Sequence, residues 1–281
     1  MTRRVGIRRR AVAVWANTAA MGLVALVFTF PFIWMVLTAL KPQNEVFSVK
    51  PKAFGSELRW RNFIEAWSFV PFGRFIVNGF VVGVIGALLS MIVAVLSAYA
   101  FSRLRFRLRD RLFLLYVLTL ALPQEVLVVP LFIMMGRLGL IDTYFALIVP
   151  FAFTAFGTFL MRQFFLTIPI EYEEAAQIDG ASRFRTLVSV LLPQLRAPLS
   201  VLGAFSFIGY WNSYLWPLII VNGQEKATVP LGLTLFTGEH GTSWAYVMAA
   251  STIAVIPCLL IVVVLQNQLV KGVHLGGFGG R

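Results

Sequence analysis

The sequence predicts an all-α integral membrane protein with six transmembrane helices. Three observations carry that prediction. Of the 281 residues 59% are hydrophobic and only 13% charged, the mean hydropathy is +0.82, and six nearly charge-free runs each reach the roughly 20 residues that a helical crossing needs. A chain of this composition has too few polar side chains to cover a water-facing surface. None of the runs alternates as a membrane β-strand would, so helices are the expected element.

The runs follow in order. The first spans 11–40 and the second 75–101. Although MTRRVGIRRR precedes it as in a signal peptide, the first apolar run is too long for one and lacks a small-residue cleavage site, so a retained helix is expected. The third, 112–135, contains LPQEVLVVP, where Pro123 and Pro130 should bend the helix beside Gln124 and Glu125. An acid at membrane depth must face protein or water. Two roles fit Glu125: contact with a polar solute, or a structural carboxylate near the outer end of a broken helix.

The fourth run covers 143–161, the fifth 197–221 and the sixth 244–269. FIGYWNSYLWPLII in the fifth groups Tyr210, Trp211, Asn212 and Tyr214. Rings and hydrogen-bonding groups so close together suit the lining of a sugar pathway, and suit equally an interfacial aromatic belt with a packing asparagine. Cys258, the single cysteine, lies in the sixth run, so the chain holds no internal disulfide. Between the first two runs, ELRWRNFIEAWSFVPFGRF reads as an amphipathic surface helix, serving as an anchor or as a contact for an external partner.

Basic residues set the expected orientation. Arg3, Arg4, Arg8, Arg9 and Arg10 precede the first run, and Arg103, Arg105, Arg107, Arg109 and Arg111 follow the second. Both termini are therefore expected in the cytoplasm. The net charge of +12 is a topology signal balanced by anionic membrane lipid, and its division among separate loops argues against nucleic-acid binding.

The polar stretch at 169–193 needs a separate account. Pro169 suits a helix first turn, and Glu171, Glu173 and Glu174 meet the positive end of the helix dipole. Ala175 and Ala176 permit close approach, Ile178 is an apolar knob, and Gly180 can end the helix in the left-handed conformation. Ser182 can cap a second helix that Pro193 stops. Such a cytoplasmic helix-turn-helix serves either as a link between membrane helices or as a knob for the groove of a separate protein.

The spacing Glu174-Ala175-Ala176, three residues, Gly180, nine residues, Val190, then Leu192-Pro193 resembles the EAA loop of inner-membrane permeases of binding-protein-dependent ABC importers. AYAFSRLRF, LGLIDTYFALIVPF, DGAS, WNSYLWPLI and TVPLGL extend the likeness along the chain toward the carbohydrate-uptake branch, maltose-type shorter subunit. The resemblance implies an ABC type I importer permease fold in a bacterial inner membrane. It also implies a second related permease, two cytoplasmic ATPases that bind ATP and Mg, and an extracytoplasmic sugar-binding protein. By the same resemblance Glu174, Ala175, Ala176, Asp179, Gly180 and Pro193 couple the chain to the ATPase. The loop at 222–243, with Gly238, Glu239, His240 and Gly241, would reach the binding protein.

The chain itself shows no enzyme signature. A Walker A loop needs Gly-Lys before Ser or Thr, and no Gly-Lys pair occurs. His240 and His274 are too few and too scattered for a metal site. The expected activity is ATP-driven import of a di- or oligosaccharide by alternating access, without a cofactor on this chain. Alternatives are a glycerophosphodiester or polyol as cargo, or an ion-coupled secondary transporter, for which Glu125 is the one intramembrane carboxylate.

Overall fold

The computed structural model describes residues 2–48, 52–238 and 241–277, which are predominantly helical. By its internal contacts the chain forms two compact units, residues 1–70 with 235–253 and residues 71–234 with 254–281.

In the first unit α1 (Thr2–Ala39) is long and apolar. Its span-length segment, Val14–Ala39, buries none of its most apolar window inside the chain. A helix apolar on every side needs lipid or another subunit around it. The end of α1 carries unsatisfied carbonyls, and Asn62 of α2 (Arg61–Phe69) answers them, donating to Ala39 O and Lys41 O at 2.8 Å each. Ile64 and Trp67 stay exposed on the other side of α2, which is the amphipathic helix foreseen there. A short hairpin, β1 (Thr237–Gly238) with β2 (Gly241–Thr242), is held by Gln43. The Gln43 amide donates to Thr242 O at 3.0 Å and accepts from Ala245 N at 2.9 Å.

The second unit is built around α3 (Phe72–Arg103), 32 residues with no proline inside. Further along lie α4 (Arg109–Leu118), α5 (Gln124–Arg137), α6 (Tyr144–Ile148), α7 (Ala155–Thr167), α8 (Glu171–Ile178), α9 (Arg183–Thr186), α10 (Leu192–Gln194) and α11 (Arg196–Trp211). A π-helical turn, Leu187–Leu191, separates α9 from α10. The chain ends with α12 (Leu215–Ile220), α13 (Val229–Leu233) and α14 (Trp244–Gly277), the last shared between the units.

Small residues explain why α3 is central. Gly79, Gly83 and Gly86 form one stripe, four and then three residues apart, and receive rings from α11. A Cβ on Gly79 would lie 3.1 Å from Trp211, one on Gly83 2.7 Å from Phe207, and one on Gly86 2.5 Å from Tyr210. Missing side chains thus let backbone and ring meet directly, as small residues do between membrane helices. Further along α3, Ala94 and Ala98 are fully buried with Met161 and Phe165 of α7, Leu191 at the end of the π turn and Leu195 beyond it. Near its start, Asn78 donates to Glu225 O at 2.8 Å and Ala227 O at 2.9 Å and accepts from the Tyr144 hydroxyl at 2.7 Å.

The apolar runs differ in form from six straight helices. Among the described residues three helices are long and apolar enough to cross a membrane, Val14–Ala39, Phe72–Arg103 and Trp244–Gln266, and bent pairs raise the number to as many as six. The run at 112–135 breaks before Pro123, where Arg109–Ala121 meets Gln124–Arg137 at 103°. Pro123 supplies the expected break, whereas Pro130 lies inside α5. The run at 143–161 bends by 47° between Tyr144–Phe151 and Ala155–Thr167. That at 197–221 is interrupted at residues 212–214, and its helix joins Arg183–Gln194 at 84°.

Candidate functional site

The helix-turn-helix anticipated at 169–193 is present, and its turn is made by backbone bonds. Gly180 has φ +78°. Its N–H bonds to Gln177 O at 3.0 Å and that of Ala181 to Ala176 O at 2.9 Å, the paired closure of a Schellman motif. A side chain at Gly180 would meet no steric clash, so the left-handed backbone is what selects glycine there. Ser182 Oγ then accepts from Arg185 N at 3.3 Å and starts α9 as its cap.

The acids of α8 face different ways. Glu174 and Ala175 are exposed, Ala176 is half-buried, and Ile178 is 86% exposed. Glu173 turns inward at 4% exposure. Its Oε1 lies 2.6 Å from Arg103 Nε, with side-chain exposures of 5% and 9%. The two atoms meet off-axis, with no hydrogen bond between them, so the contact is one of charge. Burial holds the Glu173 carboxyl above the usual range and the Arg103 guanidinium pulls the other way. The sequence grouped Glu173 with the acids of the first helical turn, where it stands, and Arg103 with the arginines that follow the second run; what the structure adds is that both are buried against each other. Arg103 at the end of an apolar helix was the available signal, since a lone cation beside buried alanines needs a partner.

A cavity of about 320 Å³ lies among α3, α5, α11 and α12. Gln124, Glu125, Tyr210 and Tyr214 line it, with Ser90, Thr154, Ser206 and Ser213 adding hydroxyls. The break before Pro123 places Gln124 and Glu125 in the first turn of α5. Two expected pathway residues lie outside this cavity. Trp211 is 2% exposed, fills the space above Gly79, and donates from Nε1 to Ala254 O at 3.2 Å, so it holds helices together. Asn212 is exposed at the end of α11 and does not line the cavity. Tyr210 does both, since its ring packs on Gly86 and its hydroxyl donates to Ile148 O at 2.7 Å.

Of the expected binding-protein contacts, Gly238 and Gly241 are the inner ends of the hairpin strands. Glu239 and His240 lie outside the described residues.

Comparison with known proteins adds four findings. Residues 86–275 match the family model described as "Binding-protein-dependent transport system inner membrane component". The sn-glycerol-3-phosphate transport system permease protein UgpE of Pectobacterium atrosepticum is 35% identical over 273 residues, covering 94% of this chain and 96% of the relative. Its namesake in Agrobacterium fabrum is 41% identical over 201 residues, 71% of each chain. The fold matches a chain in the crystal structure of a bacterial ABC transporter involved in the import of the acidic polysaccharide alginate. There the TM-score is 0.80 and the identity 24%, over 92% of this chain and 96% of that one. Apolar helices, the loop at 169–193 and these matches converge on one conclusion: the chain belongs to the binding-protein-dependent transport system inner membrane components, as a multi-pass ABC importer permease of the bacterial inner membrane.

Proposed function

We propose that this permease imports sn-glycerol 3-phosphate or a related glycerophosphodiester, paired with a second permease and driven by two cytoplasmic ATPases and an extracytoplasmic binding protein. The observation that carries the cargo is the likeness, over nearly the whole chain, to permeases named for sn-glycerol-3-phosphate transport. It favours the phosphorylated alternative over the di- or oligosaccharide suggested by the aromatic run in α11. The cavity lining includes Glu125 and no Lys or Arg among the described residues. A phosphoryl group therefore draws its cations from the second permease, while Gln124, Ser206, Ser213 and Tyr214 suit the hydroxyls of a glycerol moiety.

In this reading both termini and the loop at 169–193 are cytoplasmic. Glu174, Ala175 and Ile178 enter the ATPase groove, with Asp179, Gly180 and Pro193 shaping the loop. ATP and Mg are held by the ATPases. ATP binding favours one state of the permease pair and nucleotide release the other, so the cavity opens alternately to each side, as differential binding to two states requires. The hairpin at 237–242 contacts the binding protein, and the chain uses no cofactor of its own.

The test is the ATPase rate of the complete complex in lipid vesicles with its binding protein, across sn-glycerol 3-phosphate, a glycerophosphodiester, glycerol and maltose. Stimulation by a phosphorylated compound, abolished by Glu174→Lys, is expected. Stimulation by maltose alone would return the cargo to the sugar class, and uptake without any ATPase would favour an ion-coupled transporter.

A further inference from the structure

One guanidinium joins three elements. Arg103 is the last residue of α3. Its Nε lies 2.6 Å from Glu173 of α8, and its Nη2 donates to Phe165 O at 2.8 Å and Ile168 O at 2.6 Å, at the end of α7. A helix end exposes carbonyls and a partial negative charge that suit a cation. The planar fork of arginine can face a carboxylate and two carbonyls at once, which the single ammonium of lysine cannot. Removing one member of so buried a pair leaves the other charged and unpaired, so the contact resists separation.

What lies at the other positions of α3 makes this contact consequential. The helix runs 32 residues without a proline, and Val82 and Ser90 on it line the cavity. Gly83 and Gly86 between them seat rings of α11, which carries Ser206 and Tyr210 into the same cavity. One unbroken rod therefore bears a cavity wall at its middle and grips α8 at its end. Glu174 and Ile178, on the exposed side of α8, are free to meet a partner while Glu173 holds the inner side.

We infer that Arg103 is the joint that makes α8 and α3 move as one body, so that displacement of the loop reshapes the cavity. It is a positioning residue, acting through Glu173 and touching neither cargo nor ATPase. The inference rests on the coupling role given to the loop under the proposed function. Two packed elements locked in this way transmit a rigid-body shift where a loose loop would absorb it.

The test uses the complete complex in vesicles. Spin labels at Glu171 and Leu88, both exposed, in a Cys258→Ser background report the α8 to α3 distance with and without trapped ATP. The expected result is a distance constant within about 2 Å between the two states. Arg103→Lys should retain the ATPase subunits and basal hydrolysis but lower uptake per ATP at least about fivefold. Glu173→Gln should act in the same direction and less strongly. A wild-type distance that changes with nucleotide overturns the joint whether or not the variants assemble, as does an assembled Arg103→Lys complex with wild-type uptake per ATP. A wild-type complex with no stimulated ATPase overturns the coupling role itself, and the joint with it.

Discussion

Helices α1 and α3 have nearly the same apolarity and opposite fates. Their span-length segments have mean hydropathies of 2.3 and 2.7, yet 0% of the α1 window is buried inside the chain against 44% of that in α3. Hydropathy says that a helix can live in lipid, and says nothing of whether protein surrounds it. The distinction comes from residue size. Gly79, Gly83 and Gly86 remove side chains from one face of α3 so that α11 can close on it, whereas Gly22 of α1 has no atom near the place its Cβ would take. Close packing, rather than transfer out of water, is what associates helices in a bilayer.

The comparison can be broken by exchanging side chains at those glycines. Gly86→Val should have the largest effect, costing about 3 kcal/mol by overpacking against Tyr210; the thermal unfolding midpoint of the solubilised protein measures it. Tyr210→Phe keeps the ring in its groove but strands the Ile148 carbonyl, and should cost about 1 kcal/mol in the same assay. Gly22→Val, the control on α1, should stay within about 0.5 kcal/mol. A Gly22→Val loss equal to that of Gly86→Val would mean that α1 carries a packed face too.

The end of α3 offers a subtler test through pH. Arg103 and Tyr99 of α3 are the groups that face Glu173. Burial raises the Glu173 carboxyl above its usual 4.5. A raised value in the folded state stabilises fully below the unfolded value, and that contribution is lost as pH rises through the folded value. The stability of the wild-type chain relative to Glu173→Gln should therefore decline as pH rises above 4.5 and through the raised folded value. A difference that grows with pH would show that Arg103 outweighs the burial.

Residues with local, backbone-level demands were legible in the sequence. Gly180 and Ser182 announce the turn because few other residues take a left-handed conformation or cap a helix so readily. Pro123 marks a break for the same kind of reason. Direction was not legible. Glu173 and Glu174 are neighbours with the same chemistry, and only the tertiary position of Arg103 decides which turns inward. The aromatic run 210–216 is similar: a ring that stacks on glycine, one that lines a cavity and one that caps a carbonyl have the same composition. Trp216, 3% exposed and donating to Ala146 O at 2.8 Å, could be told from Tyr214 only once α6 was in place. The break at residues 212–214 contains no proline or glycine and gave no such warning.

The π-helical turn at Leu187–Leu191 sets the phase of everything beyond it. Leu192 N bonds five residues back to Leu187 O, one residue more than an α-helix would use. Each residue of an α-helix advances the face by about 100°, so the wide turn acts as an angular spacer built from a single extra residue. Deleting one residue there would let the helix close in the ordinary way and rotate α8 and α9 against the buried faces of Leu191 and Leu195 by that amount. The length of this segment is thereby as strictly specified as any side chain in it, and a family member one residue shorter would have to aim its loop by other means.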